Sequence, residues 1–152
     1  MGFLVAGCGD DSDAEIQMCL PENACSCTDG VERDTSCTCV GGASCSVEGD
    51  SIEFQCEGNA TCNLSCGTDC LVTCPGTTSC TVEVGDGAVI VCPGTASCDV
   101  TCNGDCLVEM SGNADSIVRC VNEADGAVCQ VTGCSATDCG NNVDACNTAC
   151  PN

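Results

Sequence analysis

Hydrophobic and polar positions between residues 39 and 109 alternate in short runs, broken at regular intervals by turn residues. Ser79-Cys80-Thr81-Val82-Glu83-Val84 puts an apolar side chain at every second position, the pattern of a strand with one buried face. Ala88-Val89-Ile90-Val91-Cys92 is rich in β-branched residues and predicts a second strand. Gly85-Asp86-Gly87 separates the two, and Gly67-Thr68-Asp69 and Asn103-Gly104-Asp105 hold the same place elsewhere. The other corner reads Cys-Pro-Gly-Thr, at Pro75-Gly76 and Pro93-Gly94. There Pro sets φ at the second turn position and Gly supplies the positive φ of the third. Gly, Thr, Val and Cys dominate and no helical stripe survives, so no helix is expected.

The pattern repeats. From Cys39 the chain falls into rows at 39–55, 56–73, 74–91 and 92–109, followed by a degenerate row from Met110. Gly41, Gly58, Gly76, Gly94 and Gly112 occupy the third place of the five rows, with a period of 18 and one residue missing from the first. Self-similarity at such a period is the mark of a solenoid, each row forming one coil stacked on the next. The predicted fold is all-β, a disulfide-stapled parallel β-solenoid of about 18-residue coils with small cysteine-rich ends. Its rival is a β-sandwich, which also has many short strands. The chain divides into a segment at 1–18, a cysteine-rich hairpin module or cap at 19–38, solenoid rows at 39–127 and a cysteine-rich cap at 128–152.

Cysteines appear and vanish in pairs within a row. Cys66 with Cys70, and Cys102 with Cys106, occupy places 11 and 15 of the second and fourth rows, while the first and third rows lack both. Equivalent places two rows apart lie about 9.6 Å from one another, too far for a disulfide, so each pair is expected to close within its own row. Places 1 and 7 hold Cys39/Cys45, Cys56/Cys62, Cys74/Cys80 and Cys92/Cys98, and the fifth row loses both, to Met110 and Ser116. Joint loss favours pairing within the row here too. Pairing between neighbouring rows is the alternative, because stacked strands are only about 4.8 Å apart. Cys19, Cys25, Cys27 and Cys37 surround an Asp29-Gly30 turn, and Cys120, Cys129, Cys134, Cys139, Cys146 and Cys150 follow the regular rows.

Composition fixes the compartment. The 152 residues include 23 Cys, two Phe and neither Trp nor Tyr, so sulfur and small aliphatic groups must replace an aromatic core. So many cysteines in a short chain signal an oxidising environment. The opposing reading, a thiolate metal buffer built on the Cys25/Cys27 and Cys37/Cys39 pairs, lacks the cations that would offset thiolate charge. An odd total leaves one cysteine without a partner. Val5-Ala6-Gly7-Cys8 resembles a bacterial lipobox, and the acidic residues 9–15 resemble the polar tether that follows such anchors. The resemblance implies that Cys8 is the lipidated first residue of a cell-surface lipoprotein, outer-membrane-anchored or secreted. It leaves 22 cysteines for 11 bridges. Cys25-Ser26-Cys27 onward to Cys37 also resembles a small cysteine-rich hairpin module of secreted bacterial lipoproteins.

Charge and residue types then exclude much chemistry. With 23 Asp+Glu against 2 Lys+Arg the net charge is -21, which offers no footprint for nucleic acid or anionic lipid, so any membrane contact would run through a lipid on Cys8. No apolar run is long enough for a membrane helix. Without His, no Ser-His, Cys-His or His-ligated zinc chemistry can be assembled within the chain. No catalytic residue, cofactor or metal ligand is expected. Asp69 and Asp105, 36 residues apart on one side of the solenoid, suit Ca²⁺ or a plain turn role equally. The outward places of the first strand carry Ser, Thr, Asn, Asp and Glu, while Leu71, Val89 and Leu107 stack outward on the second. Such an apolar column marks a contact surface, or a place covered by one of the termini. The expected function is a non-enzymatic, structural or adhesive rod at the bacterial surface. A self-assembling filament subunit (a homo-oligomer) and a metal- or calcium-binding module are the alternatives.

Overall fold

The computed structural model describes residues 15–30, 33–113, 115–121 and 126–151. These residues form fifteen strands and no helix. One sheet has the order β1 (Glu15–Leu20), β4 (Ser44–Gly49), β6 (Thr61–Cys66), β8 (Ser79–Val84), β10 (Ser97–Cys102), β12 (Ser116–Cys120), β15 (Val143–Cys146) and β14 (Ala136–Asp138). The other runs from β13 (Cys129–Thr132) through β11 (Cys106–Gly112), β9 (Ala88–Gly94), β7 (Leu71–Thr73), β5 (Ile52–Cys56) and β3 (Thr35–Cys39) to β2 (Cys25–Asp29). Odd strands from β3 to β13 and even strands from β4 to β12 pair in parallel, which makes a flattened β-solenoid of about five coils rather than a sandwich.

The register repeats every 18 residues. Cys62 lies beside Cys80, Ser79 beside Ser97, and Ala88 beside Cys106. The first coil is one residue short, with Cys45 beside Cys62, and the last has an insertion, with Cys106 beside Cys129 at 23 positions. The repeated glycines explain the period. Gly41, Gly58, Gly76, Gly94 and Gly112 all have φ between 69° and 95°, the left-handed region in which a Cβ is strained.

Alternate residues from both sheets fill the interior. Val47, Leu64, Val82, Val100 and Val118 stack on one side, facing Phe54, Val72, Ile90 and Val108 on the other, and none exceeds 3 % exposure. Phe54 is the single aromatic in this core. Where a staple is missing, hydrocarbon takes its place. Val84 stacks between Cys66 and Cys102, Ala88 beside Cys106, and Met110 beside Cys92, all buried. Ser116 keeps its hydroxyl satisfied by accepting the Cys98 N–H at 3.2 Å.

At each end, strands that run the opposite way pair with the terminal coil. β1 pairs antiparallel with β4 and β2 with β3, so these two strands extend one sheet each at the first coil. β15 pairs antiparallel with β12, and β14 folds back on β15. The caps cover the ladders of β3, β4 and β12, and among the described residues β1 and β2 at one end and β13 and β14 at the other are the outermost strands.

Candidate functional site

The chemistry of the chain is concentrated at its two corners and on its two flat faces. Eleven disulfides join the 22 cysteines of the described residues. At the Pro-Gly corner, Cys39–Cys45, Cys56–Cys62, Cys74–Cys80 and Cys92–Cys98 each close within one row, with Cα atoms 6.2 to 6.7 Å apart. The column continues into the caps. Cys19–Cys25 stacks on Cys39–Cys45, and Cys146 of the Cys134–Cys146 bridge lies beside Ser116. At the opposite corner, Cys66–Cys70 and Cys102–Cys106 also close within their rows. Cys120–Cys129 repeats that staple one coil later, since Cys120 lies beside Cys102 and Cys129 beside Cys106. The sequence placed these two cysteines in a terminal cluster, because the insertion hides their period. Cys27–Cys37 joins β2 to β3, and Cys139–Cys150 ties the end of the chain to the β14–β15 hairpin. Cys8 lies outside the described residues.

The second corner carries a ladder that sequence reasoning missed. Asp50 Oδ1 accepts the Thr68 N–H at 2.8 Å, Asp86 Oδ1 accepts that of Asp105 at 3.0 Å, and Asp105 Oδ1 accepts that of Val128 at 2.7 Å. Each carboxylate thus binds a backbone donor of the next coil, a charge-assisted bond that adds to backbone bonds across the same corner such as that from the Asp69 N–H to the Asp86 carbonyl. The signal was Asp50, Asp86 and Asp105 in the same corner of the first, third and fourth rows. For the calcium reading of Asp69 and Asp105, the donors are already engaged. Asp69 faces Arg33 at 3.5 Å, and Asp105 is part of the ladder. The other corner has a neutral counterpart, in which the hydroxyls of Thr77 and Thr95 donate to the carbonyls of Gly58 and Gly76 at 3.3 and 3.1 Å.

The faces differ. On the β4–β12 sheet the outward columns are Thr61, Ser79 and Ser97, then Ser46, Asn63, Thr81 and Asp99, then Glu48, Ser65, Glu83 and Thr101. Arg119 extends this face and is paired with Asp99. On the other sheet Leu71, Val89 and Leu107 lie side by side, each half-buried, between Glu53 and Gln130. No terminal strand of the described residues packs across that column, since the caps lie at the sheet ends. Larger apolar exposure occurs toward the ends, at Leu20, Val40, Val121 and Val128. The β14–β15 turn forms a shallow polar pocket of about 270 Å³ lined by Asp138, Asn141, Asn142 and Asp144.

No protein-family model, curated protein or solved structure matches this chain. What the geometry establishes by itself is a cysteine-rich β-solenoid, covalently closed at both corners, whose disulfides suit an oxidising, extracellular setting.

Proposed function

We propose that the protein is a non-enzymatic structural or adhesive rod displayed at the surface of a bacterial cell, held there by a lipid on Cys8, with the acidic residues between Cys8 and β1 as its tether. One observation carries this reading: all 22 described cysteines are oxidised, and most are spent on closing single coils. Such closure stiffens a structure without creating a cleft. The half-exposed Leu71-Val89-Leu107 column offers the apolar part of an adhesive face. The chain's nucleophiles have no His or Lys beside them, so the reading includes no catalytic role and no cofactor.

The anchor is tested by expressing the full-length gene with Cys8 intact and as Cys8→Ser in a bacterium that processes lipoproteins. Fractionation should find the first with membranes and the second in the soluble extracytoplasmic fraction, and intact mass should show two acyl-bearing groups only on the first. Equal partition of both forms would overturn the anchor. A filament is the second reading, favoured by the outer backbone edges of β1 and β2 at one end and of β13 and β14 at the other, which no strand of the described residues pairs. Concentration-dependent growth in size under oxidising conditions would select it over the single rod.

A further inference from the structure

In a chain of net charge -21, the outward places of the parallel strands β5, β7, β9, β11 and β13 carry charge only at Glu53 and Glu109. The opposite face presents Glu48, Glu83 and Asp99, and no apolar side chain points outward from β4, β6, β8 or β10. Two acidic molecules meet at least cost where carboxylates are fewest. On this protein that place also holds the apolar column. The order of residues across it is symmetric about the middle strand. Glu53, Leu71, Val89, Leu107 and Gln130 lie side by side in register, with Val89 on β9 at the centre. Two residues further along the strands Val91 is again central, flanked by Thr73 and Glu109. A copy turned half a revolution about an axis along β9, and laid face to face, sets Val89 on Val89, Val91 on Val91 and Leu71 on Leu107. Glu53 then meets Gln130, and Glu109 meets Thr73, so each carboxylate of the face lies opposite a neutral side chain. A twofold along the rod instead sets Glu53 on itself or Leu107 on Glu109, according to where it lies.

We propose that this face binds a second copy of the chain, the two rods packed antiparallel through β9. The pairing gives the adhesive Leu71-Val89-Leu107 column its partner, and it rests on that reading of the column. Antiparallel rods hold their first coils, and with them the residues that lead to Cys8, at opposite ends of the pair. Copies borne on two facing surfaces would meet in that way. Five strands about 4.8 Å apart, each presenting four or five residues of about 3.3 Å, make a patch of roughly 350 Å² per copy. Such a patch is smaller than a standard interface, so a single pair is weak and strength at a surface comes from many pairs acting together.

The experiment uses the oxidised full chain as Cys8→Ser, followed by sedimentation equilibrium in physiological salt from about 10 μM to about 1 mM. The mass should rise from one chain toward two and go no further. Val89→Glu sets two carboxylates against each other on the axis. It should hold the protein at one chain throughout while keeping the circular dichroism of the parent, since position 89 faces outward. Gln130→Lys should tighten the pair about fivefold, because two exposed ion pairs with Glu53 form per dimer, and Gln130→Glu should loosen it by a similar factor. The decisive arm is Gln130→Lys combined with Glu53→Gln, in which the gain should vanish. Within one chain these two positions stand four strand spacings apart, about 19 Å, well beyond the Debye length of about 8 Å, so their coupling can act only between copies. Ser65→Lys, on the opposite face, changes the net charge equally and should leave association within about twofold of the parent. A single-chain mass at the highest concentration, unchanged association of Val89→Glu, or a gain from Gln130→Lys that survives Glu53→Gln would overturn the proposal. Growth beyond two chains that Val89→Glu leaves intact would overturn it in favour of the strand-edge filament. Every result is read on soluble protein, so it stands apart from the membrane partition that tests the anchor.

Discussion

Gly112 sits at φ 95°, and a Cβ added there would stand 2.4 Å from the backbone oxygen of Gly94 in the coil beneath. Both the conformation and the approach exclude a side chain, and neither neighbour can yield because both are backbone. Gly42, one residue after a repeated glycine, has open space around the same construction and no positive φ. Gly112→Ala should therefore cost about 2–4 kcal/mol and Gly42→Ala less than about 0.5, read as midpoints of denaturant unfolding under oxidising conditions. The interior makes a similar contrast. Val82 is 2 % exposed and Thr81 fully outward. Val82→Asp buries an unpaired carboxylate and should abolish recovery of folded protein. Thr81→Asn should lie within about 0.5 kcal/mol of the parent; asparagine is the cleaner exterior probe, because an aspartate there would face Asp99.

At the scale of the row, the fifth coil shows how a corner survives without its staple. Met110 fills the place of Cys92 and Ser116 that of Cys98, both buried, with the serine hydroxyl satisfied. Transplanting that solution should work. The double substitution Cys92→Met and Cys98→Ser should retain the fold at a loss of about 2 kcal/mol, the loop-closure value for so short a staple. Alanine at both positions should lose about 1–2 kcal/mol more, because a cavity is added. Thermal melts of the two variants compare them directly, and equal losses would mean that the corner does not depend on being filled. The rows also show where sequence reading succeeds and fails. Period, corners and within-row pairs were legible because glycine, Pro-Gly and paired cysteines recur at fixed places. Cys120–Cys129 was hidden by an insertion of five residues, and Cys19–Cys25 by reversal of the chain in the cap, although both stack on staples of the regular kind. The aspartate ladder was illegible for another reason. A turn aspartate looks the same whether its oxygen serves its own turn or the next coil.

For the whole molecule, a core with one aromatic and columns of valine and cystine buries little area per residue, and the unfolded chain is held together chiefly by its bridges. Stability should depend on oxidation. The oxidised protein should keep its β-type circular dichroism to a temperature tens of degrees above that at which the fully reduced chain loses it, and a reduced chain that melts at the same temperature would show that packing suffices. Surface charge adds to this dependence, since the net charge is -21 and no Asp or Glu of the described residues is among the buried ones, so the carboxylates repel one another at low salt.

The staples of the regular rows never cross from one row to the next. Each row consequently brings its own cross-links, its own turn glycine and a matching register above and below. A gene encoding such rows can lengthen or shorten its product by unequal recombination between repeats without stranding a thiol, gaining or losing about 4.8 Å of rod at each event. Loss of 74–91, for instance, would set the second row directly beneath the fourth with glycine over glycine and staple over staple. The length of the solenoid is thereby a heritable quantity that changes in whole coils, independently of the strands that finish either end.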